Sequence, residues 1–319
     1  MSPEKLSELG ESGLIDKIAG MLEHFDDPAL VKGVGDDCAV LRNHDDKYSL
    51  LTTDMLVEGD HFNREWQNPW QIGWKSMIVN ISDIAAMGGL PKWGLISIAF
   101  PEDVTVSFTE DLFQGMVDAA DNYDLNLIGG DTTHGDDLVI NVTLIGEVEE
   151  EYLSMRSGAE VDDIICVSGD LGKSWAGLEL FRAGKEGYTD YYLQPDCRLE
   201  LAREIAPYVN AMIDVSDGLA SEVTHICVES GVGAEVEREK VPISEKTRKT
   251  GENLGKDPMM WALSGGEDFE LVFTVSPKDL DKICDDIVEV GRITEKGLFL
   301  IDETGEKKGL EGGYDHFRR

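Results

Sequence analysis

The sequence predicts two domains, each mixing β-strands with α-helices. Three observations carry this. The chain has 319 residues, and a domain takes roughly 100–200. Strand-type and helix-type hydrophobic patterns alternate along its whole length. Composition shifts over 147–163, where Glu-Val-Glu-Glu-Glu-Tyr leads into a polar, glycine-containing segment. The boundary is placed near Ser154, giving domains of residues 1–153 and 154–319. Hydrophobic residues make up 41%, enough to build a core, which excludes a disordered chain.

In order, Leu6 to about Glu23 has helical spacing, and Asp37–Leu41 and Ser49–Asp54 read as strands. Trp70–Met87 repeats apolar residues at helical intervals (Ile72, Val79, Ile84) and stops at Gly88-Gly89 and Pro91. Trp93–Phe100 reads as a strand and Phe108–Tyr123 as an amphipathic helix. A short strand, Leu125–Ile128, is followed by a Gly-Gly-Asp loop and the strand Leu138–Gly146. The second domain opens with the strand Ile164–Ser168, a glycine loop and a helix, then continues as αβ units. Ser244–Asn253 is polar and expected to be exposed. No internal repeat stands out.

Charge narrows the partners. There are 28 Lys+Arg against 64 Asp+Glu, a formal net charge of −36. Such an anion repels nucleic-acid backbones and anionic membrane surfaces, so neither is expected as a partner. The acidity fits either a high-salt cytoplasm or an ordinary acidic enzyme. The five cysteines, Cys38, Cys166, Cys197, Cys227 and Cys284, form no CxxC pair, which points to a reduced, cytoplasmic setting without a zinc site. The N-terminal residues lack the apolar stretch of a signal peptide, and no apolar run approaches the roughly 20 residues of a membrane helix.

Several aspartates share one context. Asp37, Asp54, Asp83, Asp131, Asp214 and Asp217 each follow or interrupt an apolar run beside Gly, Ser or Thr. That placement brings carboxylates to a cleft where buried elements surface. Two carboxylates 4 Å apart repel by about 4 kcal/mol at an effective dielectric near 20, so convergence there calls for a hard cation, with magnesium the natural one. Taken singly, each aspartate also fits a turn or a helix cap. Gly169-Asp170-Leu171-Gly172-Lys173-Ser174 is not a Walker A loop, because position 167 is Val where the motif needs Gly. A glycine turn opening a helix explains it. Kinase catalytic-loop and GxSxG patterns are absent.

Seven motifs in order carry a resemblance. They are Val-Gly-Asp-Asp-Cys-Ala-Val-Leu, Thr-Thr-Asp-Met-Leu-Val-Glu-Gly-Asp-His-Phe, Val-Asn-Ile-Ser-Asp-Ile-Ala-Ala-Met-Gly, Gly-Gly-Asp-Thr-Thr, Ile-Asp-Val-Ser-Asp-Gly-Leu, Leu-Ser-Gly-Gly-Glu-Asp-Phe-Glu-Leu and Gly-Tyr-Asp-His-Phe. Together the chain resembles the thiamine-monophosphate kinase family, within a superfamily that includes aminoimidazole ribotide synthetase and selenophosphate synthetase. The resemblance implies an N-terminal α/β domain, a C-terminal α+β domain, and a homodimer whose N-terminal sheets join. It implies magnesium ligands at Asp37, Thr52, Thr53, Asp54, Asp83, Asp131, Asp214 and Asp217. ATP would be held by Gly130, Asp131, Arg156 and Ser216, and thiamine monophosphate by His61, Glu267 and Tyr314. Asp60, before His61, departs from the small or neutral residue expected there.

The implied reaction is ATP-dependent phosphorylation of thiamine monophosphate to thiamine diphosphate by direct in-line transfer. An acceptor phosphate with a second pKa near 6 needs no general base, so metals and electrostatics would supply the catalysis. Two other readings are a sister synthetase of the superfamily and a non-catalytic acidic metal- or nucleotide-binding protein. Against the first, residues 1–36 hold no Cys and the chain ends in Phe317-Arg318-Arg319. Phe113 is a candidate to contact adenine, and core packing accounts for it equally.

Overall fold

The computed structural model describes residues 5–22, 27–43, 46–283 and 287–317. The predicted helix end at Glu23, Cys284 and the two terminal arginines lie outside them. The first predicted helix is two helices, α1 (Leu6–Leu9) and α2 (Glu11–Leu22), broken where Gly10 adopts a φ of 77°. There follow β1 (Leu30–Lys32), β2 (Ala39–Arg42), β3 (Lys47–Val57), α3 (Pro69–Ala86), β4 (Leu90–Phe100), α4 (Val106–Asn122), β5 (Asn126–His134) and β6 (Val139–Glu149). Their strands form one sheet in the order β1-β2-β3-β6-β4-β5. Only β4 and β5 run parallel within it.

Gly129-Gly130-Asp131 is not a loop. It continues β5, with Gly130 opposite Ile96 and Asp131 opposite Ser97. The glycine makes this pairing possible, since a Cβ on Gly130 would meet the Ile96 carbonyl oxygen at 1.7 Å. A Gly-Gly pair reads as a turn, but here the glycines serve close backbone approach.

Strand alternation sorts β3 into two faces. Tyr48, Leu50, Thr52 and Leu56 are buried beneath α3, while Thr53 and Met55 are exposed on the outer face. Helix α3 starts with a capping box, in which the Asn68 side chain accepts from the Gln71 amide at 2.9 Å and Gln71 accepts in return from the Asn68 amide. Its Ile72, Met77, Ile78, Ile81 and Ile84 are fully buried.

The second half supplies β7 (Ile164–Val167), α5 (Lys173–Arg182), α6 (Asp190–Leu193), α7 (Leu199–Ile205), β8 (Val209–Asp214), α8 (Leu219–Ser230), β9 (Gly233–Glu237), α9 (Glu245–Leu254), α10 (Pro258–Ser264), β10 (Leu271–Val275), β11 (Val288–Thr294), β12 (Leu298–Ile301) and β13 (Lys307–Gly309). They build a second sheet, β13-β12-β9-β11-β7-β10-β8. The mix of sheets and helices is the two-domain α/β and α+β arrangement that the resemblance implied. The polar stretch that forms α9 is exposed except at Thr247, Thr250 and Gly251, which are buried, and Leu254, which is half-buried.

Helix α3 touches β3 and β6 on one side and α7 and β8 on the other. One apolar core accordingly contains Ile72, Ile78 and Leu50 together with Ile205, Met212, Leu271 and Phe273. No helix among the described residues is long and apolar enough to cross a membrane.

Candidate active site

A cleft of about 230 Å³ runs along α3 between the two sheets. Its acidic end is built by four elements. Asp37 precedes β2, Asp54 lies within β3, Asp83 in the last turn of α3 and Asp214 at the end of β8. Carboxylate oxygens of Asp37, Asp83 and Asp214 lie within 4.8 Å of one another. Neighbours hold two of these carboxylates and the backbone of a third. Ser82 Oγ donates to Asp214 Oδ2 at 2.5 Å, Thr52 Oγ1 donates to Asp83, and the Asn80 side chain accepts the Asp54 amide at 3.0 Å.

Burial, reinforced by mutual repulsion, makes these groups hard to ionise. Burial, then Asp37, pushes Asp214 up to about 8 and Asp54 to about 6. Burial, then Asp54 and Asp214, raises Asp83 well above the ordinary carboxylate value. Asp36, which the sequence reading passed over, is pushed up to about 7 by burial and Asp37. Asp37 Oδ2 is buried without a hydrogen-bond partner. An orphaned acceptor facing two further carboxylates suits a hard divalent cation with oxygen ligands, so these residues fit magnesium.

The other predicted residues fall into two groups. Asp217 lines the same cleft, and burial, then Glu11, pushes it to about 6. Its amide donates to the buried Glu222 at 2.8 Å. Ser216 also lines the cleft. The Arg156 guanidinium pairs with Asp37 while its amide donates to Asp36 at 3.2 Å. Thr53 and Asp131 do not join this cluster. Thr53 bonds outward to Thr143 at 2.9 Å. Asp131 is exposed and shares a row with Ser97, Asn141 and Met55. Both therefore occupy the outer face of the six-stranded sheet, while the register sets Gly130 in the alternate row, with Ile96, Val142 and Asp54.

The far end of the cleft gathers His61, Glu267 and Tyr314, the three predicted substrate residues. His61 closes a turn after β3, and its Nδ1 accepts the Val57 amide at 3.1 Å. Burial lowers its pKa, so the ring is neutral near pH 7 with its proton on Nε2. Glu267 has a left-handed φ of 66°, fixed by its amide bonding Ser216 O at 2.9 Å. Gly266 permits that approach, since a Cβ there would lie 1.9 Å from Ser216 O. Tyr314 donates to Asp60 at 3.3 Å, and its ring meets Trp175 edge-on at 6.0 Å.

Sequence reasoning missed Lys75, Trp175, Asp60 as a partner, and His316. Lys75 is fully buried in α3 and pairs with Glu267 at 2.6 Å. The available signal was one cation inside an otherwise apolar helical pattern. His316 Nδ1 lies 3.4 Å from Asp60 Oδ2, and its ring is 4.9 Å from His61. Asp60, His61 and His316 could be mistaken for a metal site. His61 argues against it, because its Nδ1 lone pair is taken and its Nε2 carries the proton.

The glycine segment 169–174 is occupied internally. Asp268 accepts the amides of Gly172 and Ser174, and Glu270 accepts from Lys173 Nζ and from Arg198 at 2.7 Å. Amides and an ammonium already bound to carboxylates cannot cradle a phosphate, in agreement with the absent Walker pattern.

Two sheets that share one central helix, with a carboxylate cleft between them, define an AIR synthase related protein. That family's N-terminal domain matches residues 35–148 and its C-terminal domain residues 160–302. The thiamine-monophosphate kinase of Aquifex aeolicus is 41% identical over 313 residues, covering 96% of this chain and 98% of that protein. The thiamine-monophosphate kinase of Bacillus subtilis is 37% identical, covering 90% and 93%. The solved structure of AaThiL complexed with AMPPCP and TMP matches with a TM-score of 0.88 and 39% identity, covering 99% of this chain and 100% of that one. The chain belongs to the thiamine-monophosphate kinase family and is an enzyme of that family.

Proposed function

We propose that the protein transfers the γ-phosphoryl group of ATP directly to the phosphate of thiamine monophosphate, releasing thiamine diphosphate and ADP in the cytoplasm. The convergence of Asp37, Asp83 and Asp214 around an orphaned buried oxygen carries this reading. Those three, with Asp54, Thr52 and Asp217, would hold Mg²⁺ ions. Bound there, the ions would neutralise and align two phosphate chains. Thr53 and Asp131, on the sheet's other face, and Gly130, next to Asp131 in β5, we assign to the nucleotide's phosphates and metal. Arg156 and Ser216 border the nucleotide, and Phe113 lines an apolar cleft with Phe100, Val104 and Val106 that suits adenine. No side chain is required as a base. Trp175 and Tyr314 give the thiazolium cation aromatic faces, and Glu11, Asp60 and Glu267 surround it with carboxylates.

Incubation with ATP, Mg²⁺ and thiamine monophosphate, resolved by chromatography, tests the reading. Thiamine diphosphate should appear and chelator should abolish it. ATP turnover indifferent to chelator would refute the metal assignment. Inversion at a chiral γ-phosphorus is expected for direct in-line transfer, and retention would indicate a phosphoenzyme. We also propose a homodimer joined through the outer sheet face, where Met55, Trp93, Leu95 and Ile128 are exposed side by side. Leu95→Glu should halve the mass measured by light scattering. A wild-type monomer would remove this part of the proposal.

A further inference from the structure

Lys75 lies behind the cleft, paired with the cleft-lining Glu267, and the reaction described above does not use it. Its side chain is fully buried, on the α3 face that also presents Val79 and Asp83. The spacing of 75, 79 and 83 is one residue per turn, so Lys75 extends, behind the cleft, the line that Val79 and Asp83 form along its wall. The ammonium has three partners. It lies 2.6 Å from Glu267 Oε1, donates to the His61 carbonyl at 2.7 Å, and sits 4.7 Å from the centre of the Tyr192 ring. His61 belongs to the turn after β3, Tyr192 to α6, and Glu267 to the segment leading into β10.

An isolated buried ion pair contributes little net stability, because desolvation offsets the attraction. An apolar side chain would fill this slot in α3 as its neighbours fill theirs. What the pair does supply is position. Glu267 sits in a left-handed backbone conformation that persists only where its surroundings hold it. Its amide is fixed by Ser216 and its carboxylate by Lys75. The same ammonium anchors the carbonyl of His61. One cation from the first sheet's helix thus sets the separation of two residues on opposite walls of the acceptor pocket.

We propose that Lys75 is a positioning residue for the phosphoryl acceptor, acting through Glu267 and the His61 turn. This rests on the proposed function for the identity of the acceptor. Lys75→Met, Glu267→Gln and the double variant test it, with KM for thiamine monophosphate and for ATP measured separately and acceptor affinity read by calorimetry without turnover. Lys75→Met should raise KM and Kd for thiamine monophosphate by roughly 10–100-fold, the scale of a displacement near 1 Å, while leaving KM for ATP unchanged. In the double variant the two losses should not add. Unchanged acceptor affinity, additive losses, or equal losses for both substrates would overturn the role. Lys75→Gln repeats the test if Lys75→Met does not fold by circular dichroism. If neither folds, the pair is structural and the role is overturned. Wild-type protein that binds thiamine monophosphate without phosphorylating it refutes the proposed reaction alone.

Discussion

The two ends of the cleft handle charge in opposite ways. At the Lys75 end every formal charge described above has a partner at hydrogen-bond distance. At the Asp83 end, two turns along the same helix, carboxylates crowd around an oxygen that has none. Lys75 is as deeply buried as Asp214, so burial alone does not explain the contrast. An end that is complete in the protein alone is prepared to recognise a shape. An end left electrostatically incomplete is prepared to receive cations, and is costly until it does.

Removing one acidic charge should produce the largest divergence. Asp83→Asn is expected to lower the rate by roughly 10²–10³-fold, on the scale of losing one preorganised electrostatic group. The metal-free form should unfold at a higher temperature than wild type, because a repelling charge is gone. A variant less stable than wild type in chelator would break the contrast. Asp131→Asn, on the exposed outer face, should cost rate and raise the magnesium requirement while leaving metal-free stability unchanged.

The pH dependence of stability sharpens the comparison. Asp54, Asp36 and Asp214 have folded pKa values raised to about 6, 7 and 8, against 3.8 when unfolded. The unfolded chain ionises first. The folded form is therefore penalised progressively as pH rises from about 4 through 8, and relieved as pH falls. Thermal midpoints in chelator should decline over that window. Magnesium should flatten the decline, with its largest effect at the alkaline end. A metal-free midpoint that rises with pH would contradict the raised carboxylates.

The smallest effect is expected at the aromatic wall. Trp175→Ala should raise KM for thiamine monophosphate by about 2–5-fold, the scale of one partly exposed cation–π contact. KM for ATP should not move. A loss as large as that expected for Lys75→Met would mean that the ring, and not the buried ion pair, organises this end.

Legibility in the sequence followed the same division. The acidic end could be read because each aspartate sits against an apolar run with a Gly, Ser or Thr beside it. Helix α3 could be read from its periodicity and its stop. Thr53 carried a usable signal in strand alternation, since Thr52 and Asp54 must share the face that Thr53 leaves. Gly129-Gly130 misled, because glycine marks turns and close strand approaches alike. Lys75 and His316 act through partners distant in the chain, Glu267 and Asp60, and pairings of that kind have no local pattern.

The four residues Glu267-Asp268-Phe269-Glu270 serve two masters. Glu267 turns to the cleft, while Asp268 and Glu270 grip the glycine segment and Arg198 from inside. Glu267 and Phe269 hold left-handed backbones, with φ of 66° and 48°, so that odd and even residues diverge. Loss or gain of a single residue here would deliver the wrong acid to each side at once. The length of this stretch is therefore as much a part of the site as its carboxylates.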